Sequence, residues 1–383
     1  MTVNKKVKLN SFNCHGLCDR KKRIGIFYWL EQSHSGITAL QETHSTPVDE
    51  QIWQKEWNGK IYYSHGKSNS SDVAILIPDN ILPDIEITDI KFDQNGRLIV
   101  LDCEICRNPF VIICVYFPTK DKQIQQLEFL SYFKSLVNEH LGKNLLICGD
   151  FNICLNLKID KKGGNKETES RYARELKCFM EEVDIVDIWR LRHPDLLQYS
   201  RRENSRSGLV QSRIDFWLVS TALEYQVGLT TIKPGNNSDH SVISISLELL
   251  DTQMRGKGFW KFNNNLLTDC IYIDIIKQVL KDIKKNVVME NKSQLWEFVK
   301  CKIRSETIAY SIQRSKKNKL KEIELLKTLE NLEKSIGTDC SQVDQYRKAK
   351  QEWEDFQKLK LKGSILRSKA QWVKKENKTV NFS

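Results

Sequence analysis

Leu145-Leu-Ile-Cys-Gly-Asp-Phe-Asn152 decides how this chain is read. Four residues of strand character run straight into a glycine, a carboxylate and a carboxamide. The pattern recurs: strand-like runs meet short polar segments at Asn13-Cys-His-Gly16, Gln41-Glu-Thr43, Tyr116, Arg213-Ile-Asp215 and Ser238-Asp-His-Ser241. In folds that alternate strands and helices, strand ends and the loops beyond them are where sites are built.

The surrounding sequence sets the fold class. Residues 7–12, 37–41, 61–64, 73–77, 98–105, 110–116, 145–148, 214–219 and 242–247 are rich in Val, Ile and aromatics and read as strands. Helical spacing appears between them. In 22–32 it lines up Ile24, Phe27, Tyr28 and Leu30, and in 124–141 apolar residues recur every three or four positions. Lys161-Lys-Gly-Gly-Asn-Lys166 has the composition of an exposed loop. Together these predict an α/β domain over residues 1–250, its sheets covered by helices.

The character changes after Leu250. Residues 1–250 carry 31 basic and 32 acidic side chains, whereas 251–383 carry 29 and 17, so the whole net charge of +11 lies in the C-terminal third. That asymmetry fits a polyanionic partner, RNA or DNA, for residues 251–383, and equally a solvated helix face. Leu325, Leu329, Leu332 and Ile336 step at heptad-like intervals, 335–341 break the pattern, and Val343, Tyr346, Trp353 and Phe356 share one side of a second helix. A helical hairpin is expected.

No apolar stretch is long enough to span a membrane, and the first residues lack a signal-peptide core, so an intracellular protein is expected. The eleven cysteines sit irregularly, several inside apolar runs, as buried thiols rather than a disulfide framework. Cys103 and Cys106 form a lone pair that does not make a zinc site.

From these segments Glu42, Asp150, Asp215 and Asp239 offer carboxylates, Asn13 and Asn152 carboxamides, His240 an imidazole and Tyr116 a phenol. Such oxygen donors suit a hard cation like Mg²⁺ and lack the Cys/His grouping of structural zinc. Asp215 and His240 are candidate partners, a carboxylate fixing an imidazole's tautomer and raising its proton affinity. Taken singly, Asn13 and Asn152 also fit turns or caps, Tyr116 fits packing, and Asp215 fits a backbone acceptor.

In order, Asn13, Gln41-Glu-Thr43, Tyr116, Gly149-Asp-Phe-Asn152, Arg213-Ile-Asp215 and Ser238-Asp-His240 resemble the endonuclease/exonuclease/phosphatase superfamily. The resemblance implies a deoxyribonuclease I-like four-layer α/β sandwich. It implies Glu42 as the main Mg²⁺ ligand (Mn²⁺ substituting), helped by Asn13 and Asp239. Asp150 would orient or deprotonate the attacking water, or protonate the leaving oxygen. Asn152 and Tyr116 would position the phosphate. His240, held by Asp215, would stabilise the transition state, with Ser238 and His15 in supporting roles on the substrate side.

Gln41-Glu-Thr-His44, Ser212-Arg-Ile-Asp-Phe-Trp-Leu-Val-Ser220 and Ser238-Asp-His-Ser-Val-Ile243 look most like the endonuclease domains of LINE-type retrotransposons. Phe259-Trp-Lys-Phe-Asn-Asn-Asn-Leu-Leu267 and Ile365-Leu-Arg-Ser-Lys-Ala-Gln-Trp372 resemble the linker that leads to reverse transcriptase in those elements. The implied activity is Mg²⁺-dependent nicking of one strand of duplex DNA, leaving a 3′-hydroxyl, with a nuclear site of action. The chain stops about where a polymerase would begin, and 372–382 departs from the usual pattern there, as in a fragment or a degenerate copy. Two other readings stay open: a nucleic-acid-binding retroelement fragment with a vestigial nuclease, and a phosphatase or phospholipase of the same superfamily. Oligomeric state is not readable.

Overall fold

The strand Asn108–Tyr116 is apolar at nearly every position because both of its faces are covered. Phe110, Ile112, Cys114 and Tyr116 point into one core, and Val111, Ile113 and Val115 into another. That division organises the whole nuclease-like region. The computed structural model describes residues 3–33, 36–66, 71–119, 121–164, 168–205, 208–251, 262–286, 291–335 and 342–359.

Two six-stranded sheets face each other. In the first the order is Val227–Pro234, Ser241–Asp251, Val3–Asn13, Ile37–Gln41, Val73–Pro78 and Gly59–Ser64. In the second it is Ile185–Asp187, Asp215–Ser220, Leu145–Asp150, Asn108–Tyr116, Leu98–Ile105 and Ile85–Phe92. Each sheet mixes one parallel pair with antiparallel neighbours: Val3–Asn13 with Ile37–Gln41, and Asn108–Tyr116 with Leu145–Asp150. Between them lies a core built from alternate residues of both, such as Leu9, Ala39, Ile75, Leu101, Ile112, Cys148, Trp217 and Ile245.

Helices cover the outer faces and complete four layers. Gln123–Asn138 and Arg171–Glu182 bury Phe129, Phe133, Leu176 and Phe179 against the second sheet. Arg20–Ser33 packs on the first sheet, Trp29 meeting Phe12 edge-on at 5.4 Å. Its buried face is Ile26, Phe27, Trp29 and Leu30. The spacing had pointed to Ile24 and Tyr28 as well, but both are only partly covered, since Trp29 claims the centre of the contact. Glu50–Glu56 adds Trp53, stacked edge-on to Phe27 at 6.3 Å.

A small third sheet joins Arg201–Ser205, Gly208–Ser212 and Lys161–Lys162. Lys161 and Lys162, expected in a loop, pair with Ser212 and Gln211, because the neighbouring hairpin offers them a free edge. The strands at Ile85–Phe92 and Val227–Pro234 escape sequence reading because Glu86, Asp89 and Lys91 in the first, and Gly228, Thr230, Thr231 and Lys233 in the second, dilute the apolar pattern. The ten described cysteines are free thiols, and no helix of the described residues is long and apolar enough to cross a membrane.

The chain divides into two compact units. One holds residues 1–253 together with the chain from Leu329 onward; the other is 254–328. In the second, Cys270–Asn286 and the long helix Lys292–Ser335 meet through Tyr272, whose hydroxyl lies 2.7 Å from Thr307 Oγ1, and Tyr310 donates to Asp269 at 2.7 Å. The first unit regains the last turns of that helix and a helix at 342–359. On the latter, Val343, Tyr346, Ala349, Trp353 and Phe356 are buried. Of the break expected at 335–341, Ser335 is still helical and 336–341 lie outside the described residues, as do 259–261 at the start of the linker-like stretch and all of 365–372 and 372–382.

Gly149 shows how tightly the second sheet is set. Its φ is +147°, and a Cβ there would lie 1.8 Å from the Val115 carbonyl oxygen. Gly149→Ala is expected to destabilise the fold by at least about 3 kcal/mol. Urea unfolding checks this, and a loss under about 1 kcal/mol would contradict the packing described.

Candidate active site

Strand register brings the polar segments together. Tyr116 pairs with Asp150, and Asp150 pairs with Asp215, so three functional side chains stand in one row at the ends of adjacent strands. In the facing sheet, Asn13 pairs with Gln41, and Glu42 follows at the next position. Ser238, Asp239 and His240 lead into Ser241–Asp251, the strand next to Val3–Asn13.

Hydrogen bonds connect these groups across the two sheets. The Asn13 carboxamide nitrogen donates to Glu42 Oε1 and to Asp150 Oδ2, each at 3.0 Å. Asp150 Oδ1 accepts from the Asn152 backbone N–H at 2.8 Å, while the Asn152 side-chain nitrogen donates to Phe117 O at 2.8 Å. His240 Nδ1 lies 2.9 and 3.2 Å from the two Asp215 oxygens, and its Nε2 faces Asp150 Oδ2 at 3.8 Å. Ser238 Oγ donates to the Asn13 carbonyl at 2.8 Å and accepts from the His240 N–H at 3.1 Å. His15 Nδ1 stands 3.7 Å from Glu42 Oε2 and 4.0 Å from Asp239 Oδ1, at the solvent side of the cluster.

Burial gives this network its electrostatic character. Asp150 is pushed up to about 7 by burial and by the like charge of Asp215, with His240 and the Asn152 N–H pulling the other way. For His240, burial favours the neutral ring, but Asp215, Asp150 and Asp239 outweigh it and raise the imidazole to about 9. His240 is therefore an imidazolium at neutral pH, and Nδ1 donates to Asp215. Burial and the Glu42 and Asp150 charges hold the Tyr116 phenol far above its ordinary range. Asp239 stays ionised: burial opposes its charge, but His240 and Arg201 more than offset that.

Other parts of the motifs do structural work. Gln41 bonds Ser11 and Cys114 inside the core, and Thr43 bonds Ser45 and the Asp72 carbonyl. Arg213, almost fully buried, turns away from the site to pair with Asp160 and Asp187. Three residues at the site, Ser200, Arg201 and Arg97, carry no motif signal, and a fourth, His44, closes the Gln41-Glu-Thr-His44 run without having been given a role. Ser200 Oγ donates to Asp215 Oδ2 at 2.6 Å and accepts from the Ile214 and Asp215 N–H groups, fixing the carboxylate that holds His240. Arg201 bonds Asp239 at 3.0 Å. Arg97 lies 5.3 Å over the Tyr116 ring, and His44 Nε2 is 4.0 Å from Glu42. Ser200 and Arg201 sit in a polar stretch whose composition matches any loop, so only the fold reveals them.

Asp150, Asp215 and His240 form a buried group of metal-ligating type. It is a poor cation site, because Asp215 engages Nδ1 and the ring carries a positive charge. Glu42 and Asp239 fit a cation better. Asp239 Oδ1 is a buried carboxylate oxygen without a hydrogen-bond partner among the described residues, and Glu42 Oε2 faces the same imidazole of His15. Oxygen donors of this kind suit a hard divalent ion.

Asp215→Asn removes the strongest of the influences that raise His240, so a histidine-labelled NMR titration should show the variant ring titrating well below about 9. The folded value lies above the ordinary 6.5, so the stabilisation from charged His240 is complete below about 6.5 and is lost as pH rises through about 9. The stability gap between wild type and variant should narrow over that window. Titration near 6.5 in both proteins would contradict the pairing.

Comparison with known proteins agrees with this geometry. The chain matches the model of the endonuclease/exonuclease/phosphatase family over residues 10–240. It is 26% identical over 264 residues to the transposon TX1 uncharacterized 149 kDa protein of Xenopus laevis, covering 69% of this chain and 20% of that protein. The chain thus spans about a fifth of the length of that relative. It is 27% identical to an exodeoxyribonuclease of Bacillus subtilis, over 63% of this chain and the whole of that one. The crystal structure of an AP endonuclease from Leishmania major shares the fold, with a TM-score of 0.55 and 16% identity over 64% of this chain and 88% of that one. The motifs, the paired sheets and the family match converge: the chain belongs to the endonuclease/exonuclease/phosphatase family.

Proposed function

We propose that this protein is a Mg²⁺-dependent endonuclease that hydrolyses one strand of duplex DNA and leaves a 3′-hydroxyl. One observation carries the reading: a continuous run of side-chain contacts from Glu42 through Asn13 and Asp150 to His240 and Asp215. It sets oxygen donors at one end, a fixed cation at the other, and a titratable carboxylate between them. DNA as the substrate class is supported by the similarity to an exodeoxyribonuclease, and the similarity to a transposon protein fits it.

Glu42 and Asp239, with Asn13 orienting Glu42, would hold the metal, which supplies Lewis-acid neutralisation of the phosphate charge. The chain's own residues account for the rest. The His240 imidazolium, held by Asp215, presents Nε2–H towards the reacting phosphate and stabilises charge that builds on it. Asp150, with a pKa near 7, exchanges a proton at neutral pH, taking one from the attacking water or giving one to the departing O3′. Water adds its oxygen to phosphorus as the P–O3′ bond breaks, yielding a 3′-hydroxyl and a 5′-phosphate. Asn13 and the Asn152 backbone fix Glu42 and Asp150 for this work, and Tyr116, in the row beside Asp150, would position the phosphate. The basic residues of 254–328 provide a surface for RNA or DNA.

Supercoiled plasmid offers a direct test. Wild-type protein should convert it to nicked circle with Mg²⁺ and not with EDTA, and Glu42→Ala or His240→Ala should each slow nicking by roughly a hundredfold or more. Folded wild-type protein that leaves the plasmid intact would overturn this reading.

A further inference from the structure

The Ser238–His240 segment is held from two sides, and the second comes from about a hundred residues further along the chain. From within, Ser238 Oγ reaches the Asn13 carbonyl. From without, Lys350 Nζ donates to the Ser238 carbonyl oxygen at 2.7 Å. Lys350 is largely shielded, and burial lowers its pKa, partly countered by Glu354, Asp239 and Glu333. Its amine nitrogen thus sits against the carbonyl that immediately precedes Asp239.

The helix at 342–359 that carries Lys350 is anchored independently of that bond. Trp353, 1% exposed, meets Trp29 edge-on at 6.0 Å, and Trp29 in turn packs on Phe12, next to Asn13. Arg202 forms a second tie. It pairs with Glu333 at 2.8 Å, lies 6.0 Å over the Tyr346 ring, and bonds Ser241 Oγ at 3.2 Å. Its backbone N–H donates to the Asp239 carbonyl at 3.0 Å. Residues on both sides of His240 are thus tied to the C-terminal helices.

We propose that Lys350 is a positioning residue of the active site, and that the helix at 342–359 belongs to the working nuclease as the clamp that sets Ser238, Asp239 and His240. Its effect on catalysis rests on the nuclease reading above; its effect on the segment does not. Lys350 reaches the reacting groups only through the Ser238 peptide.

The test uses the full chain with Lys350→Met, Lys350→Arg and, as control, Arg347→Met, which alters an exposed residue of the same helix. Hydrogen exchange of amides 236–241 is read by mass spectrometry on metal-free protein without substrate. Lys350→Met should speed exchange there about tenfold, the worth of one hydrogen bond to a charged group. The strand Leu145–Asp150 should stay as protected as in wild type. Lys350→Arg, which keeps a charged donor, should restore protection, and Arg347→Met should change nothing. Plasmid nicking should fall about tenfold for Lys350→Met with a raised half-saturating Mg²⁺ concentration, and recover for Lys350→Arg. Unchanged exchange in Lys350→Met overturns the clamp. Faster exchange with wild-type nicking and Mg²⁺ dependence overturns its role in positioning the site. Wild-type protein that does not nick counts against the nuclease reading, and the exchange comparison still decides the clamp.

Discussion

In the second sheet, Asp150 has Tyr116 on one side and Asp215 on the other, in the same row of a hydrogen-bonded ladder. Residues opposite each other in a sheet stand about 5 Å apart, so this register alone forces two carboxylates into each other's field. Everything else at the site answers that constraint. His240 comes from the facing sheet and supplies the positive charge between them, and Asn13, also from that sheet, supplies an amide donor to Asp150. The site therefore exists only when the two sheets are packed, and the apolar core between them holds the charges in place.

Such an arrangement is costly to assemble. Buried carboxylates lose hydration that their mutual contacts cannot return, and a pair broken on one side leaves a bare charge inside. The backbone carries strain at the same place. Among the described residues, five of the eight non-glycines at positive φ, His15, Glu42, His44, Asn152 and Asn237, border the site. Each costs on the order of 1 kcal/mol or more and persists because the flanking strands over-determine it. Glu42 follows directly, and Asn152 two residues on, from a strand end, so the ladders hold them in conformations they would otherwise leave.

Legibility in the sequence follows the same physics. The central strands are apolar on both faces, so residues 98–105, 110–116 and 145–148 declare themselves, and the polar residues at their ends stand out by contrast. Strand Ile85–Phe92 lies at the edge with every residue half or fully exposed, and Glu86, Asp89 and Lys91 interrupt its Ile85, Ile87, Ile90 and Phe92. Contacts across the site depend on tertiary packing that no local pattern encodes. Ser200 sits fifteen positions before Asp215 in a polar stretch, and only the fold shows its hydroxyl on that carboxylate. Arg213 reads as part of a catalytic motif, yet its guanidinium satisfies Asp160 and Asp187 in the core. Motif membership marks neighbourhood, not role.

The C-terminal third shows the same distinction for charge. Its basic excess looks uniform when residues 251–383 are taken together, but it is not. Residues 254–328 carry 17 basic against 8 acidic side chains, while 342–359 balance four against four. The balanced stretch is the one that buries Trp353 and lays Lys350 against Ser238, where an unbalanced charge would have to be desolvated. The unbalanced one includes the exposed run Lys316, Lys317, Lys319 and Lys321 on the long helix, where like charges face water and cost little. Where a helix must pack, its charges pair; where it is free of that duty, like charges stay in water, which screens them.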